Sequence, residues 1–361
     1  MDFYQISLKY NLMKFNKKIK VQNEVISKDS STFIIAEAGV NHGGDMVIAK
    51  KLIDLAVGAG SNAIKFQAFK AEHLILKNVE KASYQKDTTD INESQFSMLK
   101  KLEVTKEQNL ELKRYCEEKN IIFLTTPFDE ESLNEIEELD IAAYKISSTD
   151  TTNLPFLKKI AKKGKPIFLS TGMSYLSEVK LALKTIFEYN KDVVLLQCTA
   201  NYPIKDNEAN LSVINTYKEN FEILLGYSDH SSGTGAAPFS IPMGVKVVEK
   251  HFTIDKSLEG PDHAASLSPK EFSEFVKMVR KVDEYMGSPI KQPCSSEVNT
   301  RKSLQKCLVA SKDIKKGDLF TEESMIGKRT GGIGISPLLY KDLVGKKAIE
   351  DFKKNEILKI D

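Results

Sequence analysis

Eight short, largely apolar runs recur along the chain up to residue 250, and their spacing constrains the fold more than any other feature. They are Phe33-Ile34-Ile35-Ala36, Ala63-Ile64-Lys65-Phe66, Ile121-Ile122-Phe123-Leu124, Ala143-Tyr144-Lys145-Ile146, Pro166-Ile167-Phe168-Leu169, Val193-Val194-Leu195-Leu196, Glu222-Ile223-Leu224-Leu225 and Val245-Lys246-Val247-Val248. Runs of this length without strict alternation suit strands buried on both faces, as parallel sheets require. Between them lie amphipathic segments at residues 45–58, 106–119, 130–138, 153–163, 177–189, 209–220 and 234–242, and 268–286 follows the last run. Eight βα units in succession predict a (β/α)8 barrel, an α/β fold, over residues 33–286. A doubly wound open sheet is the competing architecture. It is disfavoured by the unbroken series of eight units and by the lack of a Gly-x-Gly-x-x-Gly turn after the first strand.

The remaining chain divides around that barrel. Residues 1–32 are polar and Lys-rich and are expected to form an N-terminal extension without a functional role, with Met13 as an alternative start. Residues 287–302, opening Gly287-Ser288-Pro289, read as a linker. Residues 303–361 switch to short β-like pieces and a Gly-rich turn at 331–334, which predicts a small mixed β domain. Residues 68–105 join the second strand to the helix near 106, far longer than an ordinary βα connection. That segment is expected to cover substrate or to contact a second subunit.

Composition narrows the function. The 361 residues carry 52 Lys+Arg and 50 Asp+Glu, a net charge of +2, which gives no broad electrostatic reason to hold nucleic acid. No apolar run approaches the ~18 residues that span a bilayer, and the N-terminus lacks the apolar block of a signal peptide. Cys116, Cys198, Cys294 and Cys307 are scattered and form no CxxC. A zinc knuckle and a dense disulfide framework are therefore not expected, and a cytoplasmic location is.

In a barrel of this kind catalytic groups stand where the strands run out. Here every strand ends in polar residues: Glu37, Lys65 and Gln67, Thr126, Lys145 and Ser148, Ser170, Gln197 to Tyr202, Ser228 to His230, and Glu249 to His251. Lys65 and Lys145, set inside apolar strands, are costly unless an anion meets them. With the neighbouring hydroxyls they describe a pocket for phosphate and carboxylate. The alternative, equally open at this point, is that they pair with Glu37, Asp150 or Glu249 across the barrel. His230 and His251 end adjacent strands and suit a divalent metal with open positions, although a histidine is also an ordinary structural residue. His42 and His263 are weaker candidates, and Asp262 is placed to hydrogen-bond substrate hydroxyls or simply to make a turn.

These strand-end strings resemble the bacterial sialic acid synthase family, whose members condense phosphoenolpyruvate with N-acetylmannosamine or a related amino sugar. The matching stretches are Ile34 to His42, Lys65-Phe66-Gln67, Thr126 to Asp129, Ser170 to Met173, Gly226 to His230 and Glu249 to Thr253. The C-terminal residues look like the family's antifreeze-like (SAF) module through Lys328-Arg329 and Gly331 to Pro337. The resemblance implies that His230 and His251 hold a divalent cation, Mn2+ first, with Mg2+ or Co2+ as alternatives. It implies that Lys65, Lys145, Ser148, Ser170 and Ser228 grip phosphoenolpyruvate with Thr126 close by, and that Gln67, Tyr202 and Asp262 contact the sugar. Glu37 would stand at the reacting centre. Arg329 would reach the sugar's N-acetyl group from a second subunit, which makes a domain-exchanged homodimer.

Three positions depart from the family pattern: Thr330 follows Arg329 where many relatives have Pro, Asp150 stands where Glu is common, and Ala200 stands where some relatives place Asn. The implied activity is N-acetylneuraminate synthesis. A synthase of N,N'-diacetyllegionaminate, acting on 2,4-diacetamido-2,4,6-trideoxymannose, is the alternative within the class. A non-catalytic sugar-phosphate-binding protein is the alternative outside it.

Overall fold

The computed structural model describes residues 13–90 and 92–360. A hairpin comes first: β1 (Lys18–Val21) pairs antiparallel with β2 (Glu24–Ser27). Eight parallel strands follow: β3 (Phe33–Gly39), β4 (Ala63–Ala68), β5 (Ile122–Pro127), β6 (Tyr144–Ile146), β7 (Ile167–Ser170), β8 (Val193–Cys198), β9 (Leu224–Asp229) and β10 (Val245–His251). They close into a barrel in sequence order, with β10 returning to β3. Each expected strand is present, with small differences at the ends. The long helices between them, such as Met46–Ala59, Lys106–Glu118 and Leu176–Phe187, pack on the outside.

Side chains alternate between the two faces of each strand, and this parity explains the mixed composition of the runs. The outward residues Ile34, Phe66, Leu169, Leu195 and Val248 join the large core beneath the helices. The inward residues at the lower end of the strands are apolar: Phe33, Ile35, Ala63, Leu124, Phe168, Leu196 and Val247 fill the barrel interior. One or two steps further along the same inward rows stand Glu37, Lys65, Thr126, Lys145, Ser170, Ser228, Glu249 and His251, so a packed floor carries a polar mouth.

The N-terminal segment differs from the expectation. Ile19, Val21 and Ile26 are fully buried and belong to the same cluster as the inward barrel residues. The hairpin seals the lower end of the barrel, and residues 18–27 are structural rather than a detached extension. The chain divides into two compact units, with the break between Gly287 and Ser288. The stretch expected as linker also differs, because Glu297–Leu304 is helical, with no buried side chain.

In the second unit β11 (Lys306–Ala310) pairs antiparallel with β12 (Met325–Arg329) over a small core that includes Leu308, Phe320, Leu343, Phe352 and Leu358. Among the described residues no helix is long and apolar enough to cross a membrane.

Candidate active site

The barrel mouth opens into a cavity of about 520 Å3. Of the residues expected there, Glu37, Lys65, Gln67, Thr126, Lys145, Ser148, Ser170, Tyr202, His251 and Asp262 line it. Ser228 and His230 stand immediately behind. The Ser228 hydroxyl donates to Glu249 Oε1 at 2.9 Å, and the Tyr202 ring lies 4.1 Å from the His230 ring, centroid to centroid. Arg329 belongs to the second unit, where it ends β12 and is exposed.

Two lysines and two carboxylates form one buried network. Lys65 Nζ lies 2.6 Å from Glu37 Oε2 and 3.8 Å from Glu249 Oε2, and Lys145 Nζ lies 2.8 Å from Glu249 Oε1. Lys65 also donates to Thr126 Oγ1 at 3.1 Å. The pairing left open by the sequence is therefore formed, and Glu249 is a partner in the site that the residue pattern marked only as a counter-charge. Burial opposes ionisation of Glu249, but Lys145 and Lys65 hold its carboxyl well below the usual range. Burial outweighs Lys65 at Glu37 and pushes that carboxyl up to about 7. Burial likewise pushes Asp262 up to about 6, against the pull of His230 and Lys65. Among the described residues the Ser170 hydroxyl, buried in the cavity wall, has no hydrogen-bond partner, a cost that an incoming anion would relieve.

Glycines permit the tight spots. A Cβ on Gly172 would come within 2.9 Å of Ser148 Oγ, the same hydroxyl that accepts the Gly172 N–H. Gly39 adopts φ +55 and carries the chain past Glu37, Gln67 and Asp262.

The histidine rings are 5.4 Å apart. His230 Nδ1 is 2.7 Å from the Thr199 carbonyl, and as donor there it leaves Nε2 as the nitrogen that could face a cation. His251 Nδ1 is buried and has no partner among the described residues, and burial together with His230 holds that ring far below the usual imidazole range, hence neutral. His251 is neutral as it stands; burial opposes charge on His230 too, but Cys198 and the Thr199 carbonyl hold its imidazole above the ordinary range, so a divalent cation on the pair would take the place of the His230 Nε2 proton. Among the described residues no group of three or more His, Cys, Asp or Glu is arranged to hold a metal, so the fit rests on this pair.

The departures resolve as follows. Asp150 Oδ1 accepts a 3.0 Å hydrogen bond from Asn153, and Asp150 does not line the cavity. Ala200 lines the cavity, and its neighbour Asn201 is exposed and outside the lining. His42 and His263 lie outside the lining, buried near one another.

The far side of the cavity was not legible as residues. Its wall comes from the 68–105 excursion, through Phe69, Leu74, Ile75, Ala82, Gln85, Gln95, Met98 and Leu99. The signal that pointed there was the length of the connection. Three helices organise it, Ala71–Leu74, Ser83–Thr88 and Gln95–Leu102. Buried Lys81 pins them by donating to Thr89 Oγ1 and to the Asp90 carbonyl, both at 2.8 Å.

A closed barrel that gathers cations, carboxylates and paired imidazoles at the ends of its strands is built as an enzyme for an anionic small molecule. Comparison with known proteins makes the assignment more specific. The chain belongs to the NeuB family, whose model matches residues 52–291, and an SAF domain model matches 305–361. It is 43% identical to the N,N'-diacetyllegionaminic acid synthase of Campylobacter jejuni, over 91% of this chain and 99% of that protein. It is 35% identical to the human N-acetylneuraminate-9-phosphate synthase, over 90% of this chain and 91% of that protein. The crystal structure of N-acetylneuraminic acid synthetase from Leptospira borgpetersenii in complex with citrate superposes with a TM-score of 0.70. It is 34% identical, over 81% of this chain and 98% of that one.

Proposed function

We propose that the barrel mouth condenses phosphoenolpyruvate with an N-acetylated amino sugar and water, giving a nine-carbon sugar acid and phosphate. The observation that carries this reading is the buried Lys65–Glu37–Glu249–Lys145 network, set in one cavity with an unpartnered Ser170 hydroxyl and His251. Lys65, Lys145, Ser148, Ser170 and Ser228 would take the phosphate and carboxylate, exchanging carboxylate partners for substrate oxygens, with Thr126 keeping Lys65 in place. Gln67, Tyr202 and Asp262 would hold the sugar. A divalent cation on His230 and His251, Mn2+ in our reading, would supply Lewis-acid polarisation of the aldehyde oxygen.

In the reaction C3 of phosphoenolpyruvate bonds to the sugar's aldehyde carbon, water adds at C2, and phosphate leaves with cleavage of the C2–O bond. Glu37 takes the proton of that water, and its raised pKa near neutrality suits a general base. The lysines balance the charge of the departing phosphate. Fixing two substrates in register supplies much of the acceleration, and most of these residues position rather than react.

N-acetylneuraminate synthesis from N-acetylmannosamine is the first reading. A second is favoured by the 43% identical relative, namely that the sugar is 2,4-diacetamido-2,4,6-trideoxymannose. A binding protein without catalysis is disfavoured by the joint presence of both lysines, both carboxylates and both histidines. Arg329 of a second copy would complete the sugar site in a domain-exchanged homodimer. A cytoplasmic location is supported by four free cysteines.

Phosphate release on incubation with Mn2+, phosphoenolpyruvate and each sugar, with mass spectrometry of the product, tests the reading. EDTA should abolish turnover and Mn2+ restore it. Full activity in chelated protein would remove the histidine pair from metal binding.

A further inference from the structure

The two sides of the cavity differ in chemistry. The strand ends present charge, whereas the excursion side presents Phe69, Leu74, Ile75, Met98, Leu99 and Phe128. Phe69, Leu74, Leu99 and Phe128 belong to one small apolar cluster, and Phe69 and Met98 are almost fully buried. A sugar with a hydroxyl on every carbon would lose water from its hydroxyls against this wall without regaining hydrogen bonds.

Among the described residues, the wall's polar side chains are the amides of Gln85 and Gln95, held in fixed orientation. The oxygen Oε1 of buried Gln85 accepts the Ala82 backbone N–H at 3.0 Å, and that donor settles which end of the amide is oxygen. The same oxygen accepts Gln95 Nε2 at 3.0 Å, which settles the second amide in turn. Two donors fill the Gln85 oxygen, so toward a ligand its amide acts as a donor through Nε2. Gln95 spends a donor on Gln85 and can act as an acceptor through Oε1. One donor beside one acceptor is the complement of a secondary amide, whose C=O accepts and whose N–H donates.

We propose that Gln85 and Gln95, with the apolar wall around them, read the far end of the amino sugar and select one bearing a second acetamido group and a methyl in place of a hydroxymethyl. This rests on the condensation reading above and narrows its substrate to the diacetamido-trideoxy class. The amide pair matches the acetamido N–H and C=O, and the wall takes the two methyl groups. N-acetylmannosamine would meet the amides with hydroxyls, which lack the paired C=O and N–H of an amide, and would put its hydroxymethyl group against Met98 and Leu99.

The test offers the full chain, with Mn2+ and phosphoenolpyruvate, either 2,4-diacetamido-2,4,6-trideoxymannose or N-acetylmannosamine, and follows phosphate release. The diacetamido sugar should have at least about tenfold higher kcat/KM. Gln95→Leu and Met98→Gln should each lower the ratio of the two kcat/KM values about fivefold or more, the first by removing the acceptor and the second by making the wall polar. Equal efficiency with both sugars, a preference for N-acetylmannosamine, or a ratio unchanged in both variants would overturn the inference and leave the condensation reading standing. No phosphate release with either sugar would overturn both.

Discussion

Lys145 and Glu249 meet across the full width of the barrel, with Lys145 Nζ 2.8 Å from Glu249 Oε1 on strands β6 and β10, which lie opposite one another in the eight-strand ring. Both side chains are at most 4% exposed. Glu249 also approaches Lys65 and accepts from Ser228, so a single carboxylate gathers groups from three other strands.

Glu249→Gln leaves Lys145 buried without its counter-charge. Breaking a buried pair from one side costs on the order of 3 kcal/mol, and urea unfolding should show a loss of that size. Adding Lys145→Met removes the orphaned charge and should recover much of the stability. A midpoint unchanged by Glu249→Gln would show that the network does not hold the strands.

The closed lower end of the barrel is equally testable. Ile26 is 1% exposed within the interior cluster. Ile26→Ala should cost about 3 kcal/mol through the lost contacts and the cavity left behind, with KM for phosphoenolpyruvate unchanged. A neutral result would mean that the hairpin is dispensable.

Acid should weaken the fold through His42. Its Nδ1 accepts the Gly44 N–H at 2.9 Å, and burial lowers the ring to about 4 from an ordinary 6.5. The unfolded chain takes up this proton first, so the contribution of His42 is intact above pH 6.5 and is lost as pH falls from there toward 4, by about 3 kcal/mol in all. His42→Asn keeps an acceptor at that place but does not titrate, and it should flatten the stability profile between pH 6.5 and 4. A profile of the same slope in the variant would place the titration elsewhere.

If Arg329 serves a neighbour's barrel, two damaged chains can repair each other. Arg329→Ala and Glu37→Gln should each have little activity, and after mixing and exchange of subunits about a quarter of wild-type activity should return, because half the dimers then hold one intact site. No recovery under conditions where subunits are shown to exchange would place Arg329 in its own chain's site or in none.

Much of this molecule could be read in advance, and the reasons differ by region. The barrel strands are buried on both faces, so their residues announce themselves without knowledge of any partner. Lys65 and Lys145 were conspicuous because a lysine in such a run needs an explanation. The hairpin was missed although Lys18-Ile19-Lys20-Val21 alternates and Gln22, at φ +52, supplies the turn, because a two-strand element so short and polar gains its meaning only from the barrel end it covers. The wall through Gln85 and Met98 was illegible for a related reason. Its length marked residues 68–105 as unusual, but which side chains face the cavity depends on how three short helices fold back on Lys81.

In the proposed reaction carbon joins carbon at the barrel mouth, and phosphate leaves by breaking the C2–O bond. Phosphoenolpyruvate labelled with oxygen-18 at the oxygen bridging C2 and phosphorus tests it most directly, with Mn2+ and the diacetamido sugar or N-acetylmannosamine present. The label should appear wholly in the released phosphate, and no phosphate should be released when the sugar is omitted. Label retained in the sugar acid, or phosphate released without sugar, would contradict it.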